Sequence, residues 1–149
     1  MIDYDFYRKL SLFETLTDNE ILQLNDLLIS KTYKKDEVIY KENHPQAVIY
    51  IIKSGSVRLQ IDLAHFEFKI TIVQQYCHFG EIGLFLDTPR ICTATAIEDT
   101  ELIAIKKSDI KQFILTNPGT GIKLLYNFGK SVATLLLETS KSIRHHDLR

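Results

Sequence analysis

Cysteine is scarce in this 149-residue chain, and the scarcity removes several classes at once. Cys77 and Cys92 are too few to staple a disulfide scaffold, and neither belongs to a C-x-x-C metal pattern. An iron–sulfur cluster would need about four thiolates. Haem would need an axial ligand, and the lone Cys77-His78 pair reads as turn or core instead. An excess of one charge is also missing. Lys+Arg number 18 against 19 Asp+Glu, a formal net charge of −1 that advertises neither a nucleic acid nor a membrane surface. No apolar run approaches the roughly 20 residues that cross a bilayer. The acidic start Met1-Ile2-Asp3-Tyr4-Asp5 lacks the basic and apolar regions of a signal peptide. A soluble, cytoplasmic protein is expected. His44, His65, His78, His145 and His146 include no closely spaced pair on a strand to hold iron with a carboxylate, so no metal site is assigned. A G-x-S-x-G nucleophile motif is absent too. No catalytic residue is assigned, and the chain is not expected to be an enzyme.

What is present is ordinary globular composition, 45% hydrophobic and 25% charged, at the length of one domain. Residues 1–31 read as helical. Thr17 can cap a helix and Glu20 can close its capping box, with Ile21, Leu24, Leu27 and Leu28 at helical spacing behind them. From 32 to 107 the period changes to two. Val38-Ile39-Tyr40, Val48 to Ile52 and Val57 to Ile61 are runs of strand length, and Phe66, Phe68, Ile70 and Ile72 alternate as a half-buried strand would. Turn residues at 34–36, 43–45 and 54–56 separate them. Many short strands at regular intervals predict a jelly-roll-like β-roll, a double-stranded β-helix, with flanking helices.

Residues 108–149 are helical again, starting at Ser108-Asp109 and breaking at Asn117-Pro118-Gly119. Beyond the break, Ile122, Leu125, Phe128 or Gly129, Val132, Leu135 or Leu136, Thr139 and Ile143 fall three or four apart. Part of this stripe is expected to pack on the chain's own roll. The rest is expected to meet a second copy, giving a homodimer, or another protein. The basic end, with Lys141, Arg144, Arg149, His145 and His146, suits a helix C-terminus. No residues remain after it for a helix pair that reads DNA, so direct DNA binding is not expected.

One segment carries ligand chemistry, the cassette 79–93. Gly80 allows close backbone approach, Glu81 supplies a carboxylate and Ile82-Gly83-Leu84-Phe85 reads as one helical turn. Pro89 then precedes Arg90, whose guanidinium offers a planar fork of donors for a phosphate. A Glu81–Arg90 salt bridge is the simpler structural alternative.

These residues resemble the phosphate-binding cassette of the cyclic nucleotide-binding domain family, as in catabolite activator proteins and protein kinase A regulatory subunits. The match to F-G-E-[LI]-[AG]-L…P-R-x-A-T lies at Phe79, Gly80, Glu81, Ile82, Gly83, Leu84, Pro89, Arg90 and Thr93. Tyr50 to Val57 and Leu12-Phe13…Leu16 resemble further family motifs. The resemblance implies a non-catalytic sensor of a cyclic nucleotide, needing no cofactor. Glu81 would accept the ribose 2′-hydroxyl and Arg90 would hold the cyclic phosphate. Backbone N–H groups around Ile82, Gly83, Ile91 and Cys92 would complete the cradle, and the base would lie against the long C-terminal helix and move it. Departures from the pattern are Ile91, where a small or hydroxylic residue is usual, and Cys92 for alanine. Tyr76-Cys77 and Glu42-Asn43-His44 replace glycine-containing turns. Ile91 offers no hydroxyl, which favours cyclic AMP over cyclic GMP, and is expected to press into the pocket. The alternatives left open are a degenerate interaction module, another ligand, or the effector part of a transcription regulator.

Overall fold

The computed structural model describes residues 1–66 and 68–147; position 67 and the last two positions, with the basic Arg149, lie outside the described residues. Its first helical part comprises α1 (Tyr4–Tyr7), a 3-10 turn (Ser11–Phe13) and α2 (Asp18–Leu24). The capping box forms at α2. Thr17 Oγ1 accepts from the Glu20 amide at 3.3 Å, and Glu20 Oε1 accepts from the Thr17 amide at 3.1 Å. Glu20 also reaches the last helix, accepting from Thr120 Oγ1 at 2.9 Å and pairing with Lys123 Nζ at 2.6 Å. The Lys123 contact, with help from the Thr17 amide, holds its carboxyl down at about 2.

Eight strands follow: β1 (Ile29–Tyr33), β2 (Val38–Tyr40), β3 (Val48–Ser54), β4 (Val57–Asp62), β5 (Phe68–Val73), β6 (His78–Phe79), β7 (Thr93–Ala96) and β8 (Thr100–Lys106). They form two antiparallel sheets ordered β1-β8-β3-β6 and β2-β7-β4-β5, the β-roll expected from the period of two. Between β6 and β7 lies α3 (Ile82–Phe85). After β8 come α4 (Lys107–Thr116) and α5 (Pro118–Asp147), with Pro118 in the first helical position and Asn117, at φ -129 and ψ 68, outside the helical region before it.

The central strands β3 and β8 of the first sheet are buried on both faces, which is why β3 reads as an unbroken apolar run. Ile49 and Ile51 of β3, with Ile103 and Ile105 of β8, pack against Leu10, Phe13, Ile21, Leu124 and Phe128 of the helical layer. Tyr50, Ile52, Leu102 and Ala104 point the other way and meet Val57, Phe79 and Ala94 inside the roll. Each fully buried aliphatic side chain contributes about 1.5–3 kcal/mol relative to exposure.

Two expectations need correction. On β5, Phe68, Ile70 and Ile72 are exposed rather than half-buried. This strand is the edge of its sheet, and Val73, opposite Val57, is its one residue packed on the roll interior. On α5, the near end of the apolar stripe, Ile122 and Leu125, faces outward like the far end, and of the stripe only Phe128 packs on the roll. The helix docks through Gly121, Leu124, Asn127 and Phe128, whereas Ile122, Leu125, Gly129, Val132, Leu136, Thr139 and Ile143 are exposed or nearly so. Asn127 does the work of an apolar residue there by donating to Leu12 O at 2.8 Å and Thr15 Oγ1 at 3.0 Å.

Candidate functional site

The segment 79–93 is held between the roll interior and α5, and alternation sorts its residues. Phe79 points inward and stacks on Tyr50, ring centroids 5.3 Å apart, while His78 beside it faces the helical layer. At the other end Arg90 and Cys92 point inward and Ile91 points out, 47% exposed. The expected crowding by Ile91 therefore does not arise from its side chain. The roll interior is filled instead by Tyr40, Tyr50, Phe79 and Cys92, with Cys92 Sγ 3.6 Å from Tyr40 Oη. Burial raises the Cys92 thiol above its ordinary value, and the Tyr40 contact and the Arg90 charge oppose the rise. Burial likewise lifts the Tyr50 hydroxyl to about 12.

Arg90 is 3% exposed. Its Nη2 donates to Val48 O at 2.6 Å and its Nη1 to Gly80 O at 3.4 Å, and the guanidinium carbon lies 3.9 Å over the Tyr40 ring. Among the described residues its Nε has no acceptor, and no carboxylate pairs with it. The alternative Glu81–Arg90 salt bridge is thus not formed. Gly80 makes the approach possible, with φ +84 and a position where a Cβ would fall 2.6 Å from Arg90 Nη1.

Local turns fix the backbone of Arg90. Asn43, at φ 68, donates its amide to Arg90 O, and the Arg90 amide donates to His44 O, both at 2.8 Å. The glycine-free Glu42-Asn43-His44 turn works because asparagine tolerates the left-handed region. Tyr76 also stands at φ 71, a strained choice for a bulky residue. Gln46 braces the loop before Arg90, donating from Nε2 to Thr88 Oγ1 at 3.2 Å and Pro89 O at 3.1 Å. Gly83 leaves space for that brace, since its Cβ would lie 2.5 Å from Gln46 Cβ.

Glu81 precedes α3, half-buried, and its carboxylate makes no hydrogen bond or ion pair among the described residues. It opens on a cleft of about 500 Å³ beside α5, lined in part by His78, Ser131, Thr134 and Leu135. The first-turn amides of Ile82 and Gly83 lie next to it, outside the bonding pattern of the helix itself. His78 Nε2 is 3.1 Å from Ser131 Oγ. Burial pushes this imidazole below its ordinary value, and the charge of Glu81 opposes the shift. Phe128 of α5 meets the first half of the segment edge-on, His78 at 5.8 Å and Phe85 at 6.2 Å between ring centroids.

Tyr40, Gln46, the Val48 carbonyl, His78 and Ser131 were not singled out as site residues by the sequence. Tyr40 reads only as a strand residue until the β2–β7 register sets it opposite Ala94, two residues from Cys92. Among the described residues no cluster of His, Cys, Asp and Glu could hold a metal ion, and no helix is long and apolar enough to cross a membrane.

Comparison with known proteins adds an independent line. The family model for the cyclic nucleotide-binding domain matches residues 30–117. The chain is 30% identical over 112 residues to a cGMP-dependent protein kinase of Eimeria tenella, covering 75% of this chain and 11% of that one. It is 29% identical over 118 residues to a cAMP-dependent protein kinase regulatory subunit of Colletotrichum orbiculare, covering 79% and 29%. It therefore spans well under half the length of these curated relatives. Among solved structures, a cyclic nucleotide-binding domain from Methylobacillus flagellatus superposes with a TM-score of 0.83 at 18% identity, over 93% of this chain and 79% of that one, a likeness of fold.

Proposed function

This chain belongs to the cyclic nucleotide-binding domain family, and we propose that it is a non-catalytic sensor that binds cyclic AMP in preference to cyclic GMP. The observation that carries the reading is the state of Arg90. A guanidinium buried to 3% exposure without a carboxylate carries a desolvation penalty that two carbonyl contacts offset only in part. An anion delivered into the roll would relieve it, with the undonated Nε as one donor. Glu81, half-buried and unpaired, suits a ribose hydroxyl. The Ile91 side chain points out of the roll and so supplies no contact that would favour a guanine, which leaves cyclic AMP the nucleotide we favour. The relatives include both cGMP- and cAMP-dependent kinase proteins, so they do not separate the two nucleotides.

Transmission would run through α5. Phe128 sits against His78 and Phe85, the residues flanking the first half of the cassette, and Ser131 is bonded to His78. A ligand that moves α3 would therefore change the hold on the helix, shifting a population between docked and released positions. Beyond Ser131 every α5 residue with a described side chain is exposed. The outward stripe keeps a three-four spacing from Ile122 to Ile143, the seam of a two-helix coil. Gly129 lies on that seam with nothing within 4 Å of its would-be Cβ. A mid-helix glycine is less stable than alanine by about 1 kcal/mol, and close approach of a second helix would account for it. The partner we favour is a second copy of this chain. We place the sensor in the cytoplasm, where its two free thiols stay reduced.

A second reading has its own support: the aromatic filling of the roll suits a closed module that only dimerises. Calorimetric titration with cyclic AMP and cyclic GMP separates the two. The sensor reading expects cyclic AMP to bind at least as tightly as cyclic GMP. No heat and no thermal shift with either nucleotide would leave the closed module standing.

A further inference from the structure

The guanidinium of Arg90 is boxed on three sides. Its edges rest on Val48 O and Gly80 O, and one face lies over the Tyr40 ring with 3.9 Å between guanidinium carbon and ring centroid. Tyr40 is itself held in place. Its ring lies 6.1 Å from both the Tyr50 and Phe79 rings, nearly parallel to the first, and its hydroxyl meets Cys92 Sγ at 3.6 Å. Burial keeps that hydroxyl neutral, raising it far above the ordinary tyrosine value, with Cys92 adding to the rise.

We propose that Tyr40 is the positioning residue for Arg90, its ring face fixing the plane of the guanidinium so that the donors left over meet an entering cyclic phosphate. This rests on the reading of the site given above. The two carbonyls constrain the fork only along its edge, and a planar cation on edge contacts alone can still tilt. The negative face of an aromatic ring removes that freedom and stabilises the charge where no carboxylate does so. The contact is a property of the ring face and not of the hydroxyl, whose one hydrogen-bond partner among the described residues is the weak Cys92 thiol. Phenylalanine should therefore replace Tyr40, and leucine should not.

Cyclic AMP is titrated into the wild type, Tyr40→Phe, Tyr40→Leu and a variant carrying pentafluorophenylalanine at position 40. The fluorinated ring keeps the shape while reversing the charge of its face, so it separates electrostatic positioning from packing. The expected result is wild-type affinity within about twofold for Tyr40→Phe and about tenfold weaker binding for the fluorinated ring. Tyr40→Leu should fall at least as far. Equal affinity for phenylalanine and its fluorinated form would overturn the role given to Tyr40 while leaving the ligand assignment intact. Absence of cyclic nucleotide binding by the wild type would overturn both.

Discussion

Arg90 and Glu81 close the two ends of the cassette and meet different surroundings. Arg90 lies inside the roll, fixed by two carbonyls, an aromatic face and a pair of backbone bonds to the 43–44 turn. Glu81 stands at the start of a four-residue helix, half-buried and unbonded, with α5 across the cleft. One end is built before a ligand arrives; the other is free to adjust. On the proposed function, the division would give affinity to the preorganised cation and coupling to the side where α3, His78 and α5 meet.

The strongest way to break this contrast is Arg90→Ala. Losing charge-assisted hydrogen bonds to a buried phosphate should weaken cyclic AMP by roughly 100-fold or more, about 3 kcal/mol. Titration calorimetry checks it, and a loss under tenfold would mean that Arg90 is mainly structural. Glu81→Gln keeps the size of the side chain and removes its charge, so a smaller loss of about tenfold is expected. An effect as large as that of Arg90→Ala would erase the contrast.

Ser131→Ala sharpens the coupling side. Removal of the bond to His78 should speed amide exchange of α5 around Phe128 to Leu135 about fivefold without ligand, and alter cyclic AMP affinity by less than about threefold. Unchanged exchange would remove Ser131 from the path. The smallest expected effect is on His78. Burial lowers its folded pKa below the ordinary 6.5, so the unfolded chain binds more protons. Stability therefore falls as pH drops below about 6.5 toward the lowered value. Nuclear magnetic resonance titration should place His78 below the ordinary 6.5, and Glu81→Gln should move it lower still. An unchanged value would put Glu81 too far away to act on the α5 side.

The parts of this fold set by neighbours in sequence were legible in the sequence. Thr17 and Glu20 announce their helix because a capping box is local, and Asn117-Pro118 breaks one because proline constrains its predecessor. The outward facing of the near part of the α5 stripe, Ile122 and Leu125, was not legible. The buried face contains Asn127, and only its partners Leu12 O and Thr15 Oγ1, far away in sequence, make a polar residue stable there. The same holds at the site. Gly80, Glu81 and Arg90 stand out by type and spacing. The acceptors of Arg90 are backbone carbonyls, which no residue type encodes. Ile91 turns outward, against expectation, because the inward or outward sense of a short segment depends on where β7 begins.

Comparing cyclic AMP with adenosine, in the wild type and in Arg90→Ala, isolates the phosphate and so tests the central claim most directly. If Arg90 is a preformed phosphate site, the wild type should favour cyclic AMP over adenosine by at least about 100-fold, and the variant should lose most of that preference. Equal binding of the two compounds by the wild type, or a preference that survives in the variant, would contradict the account.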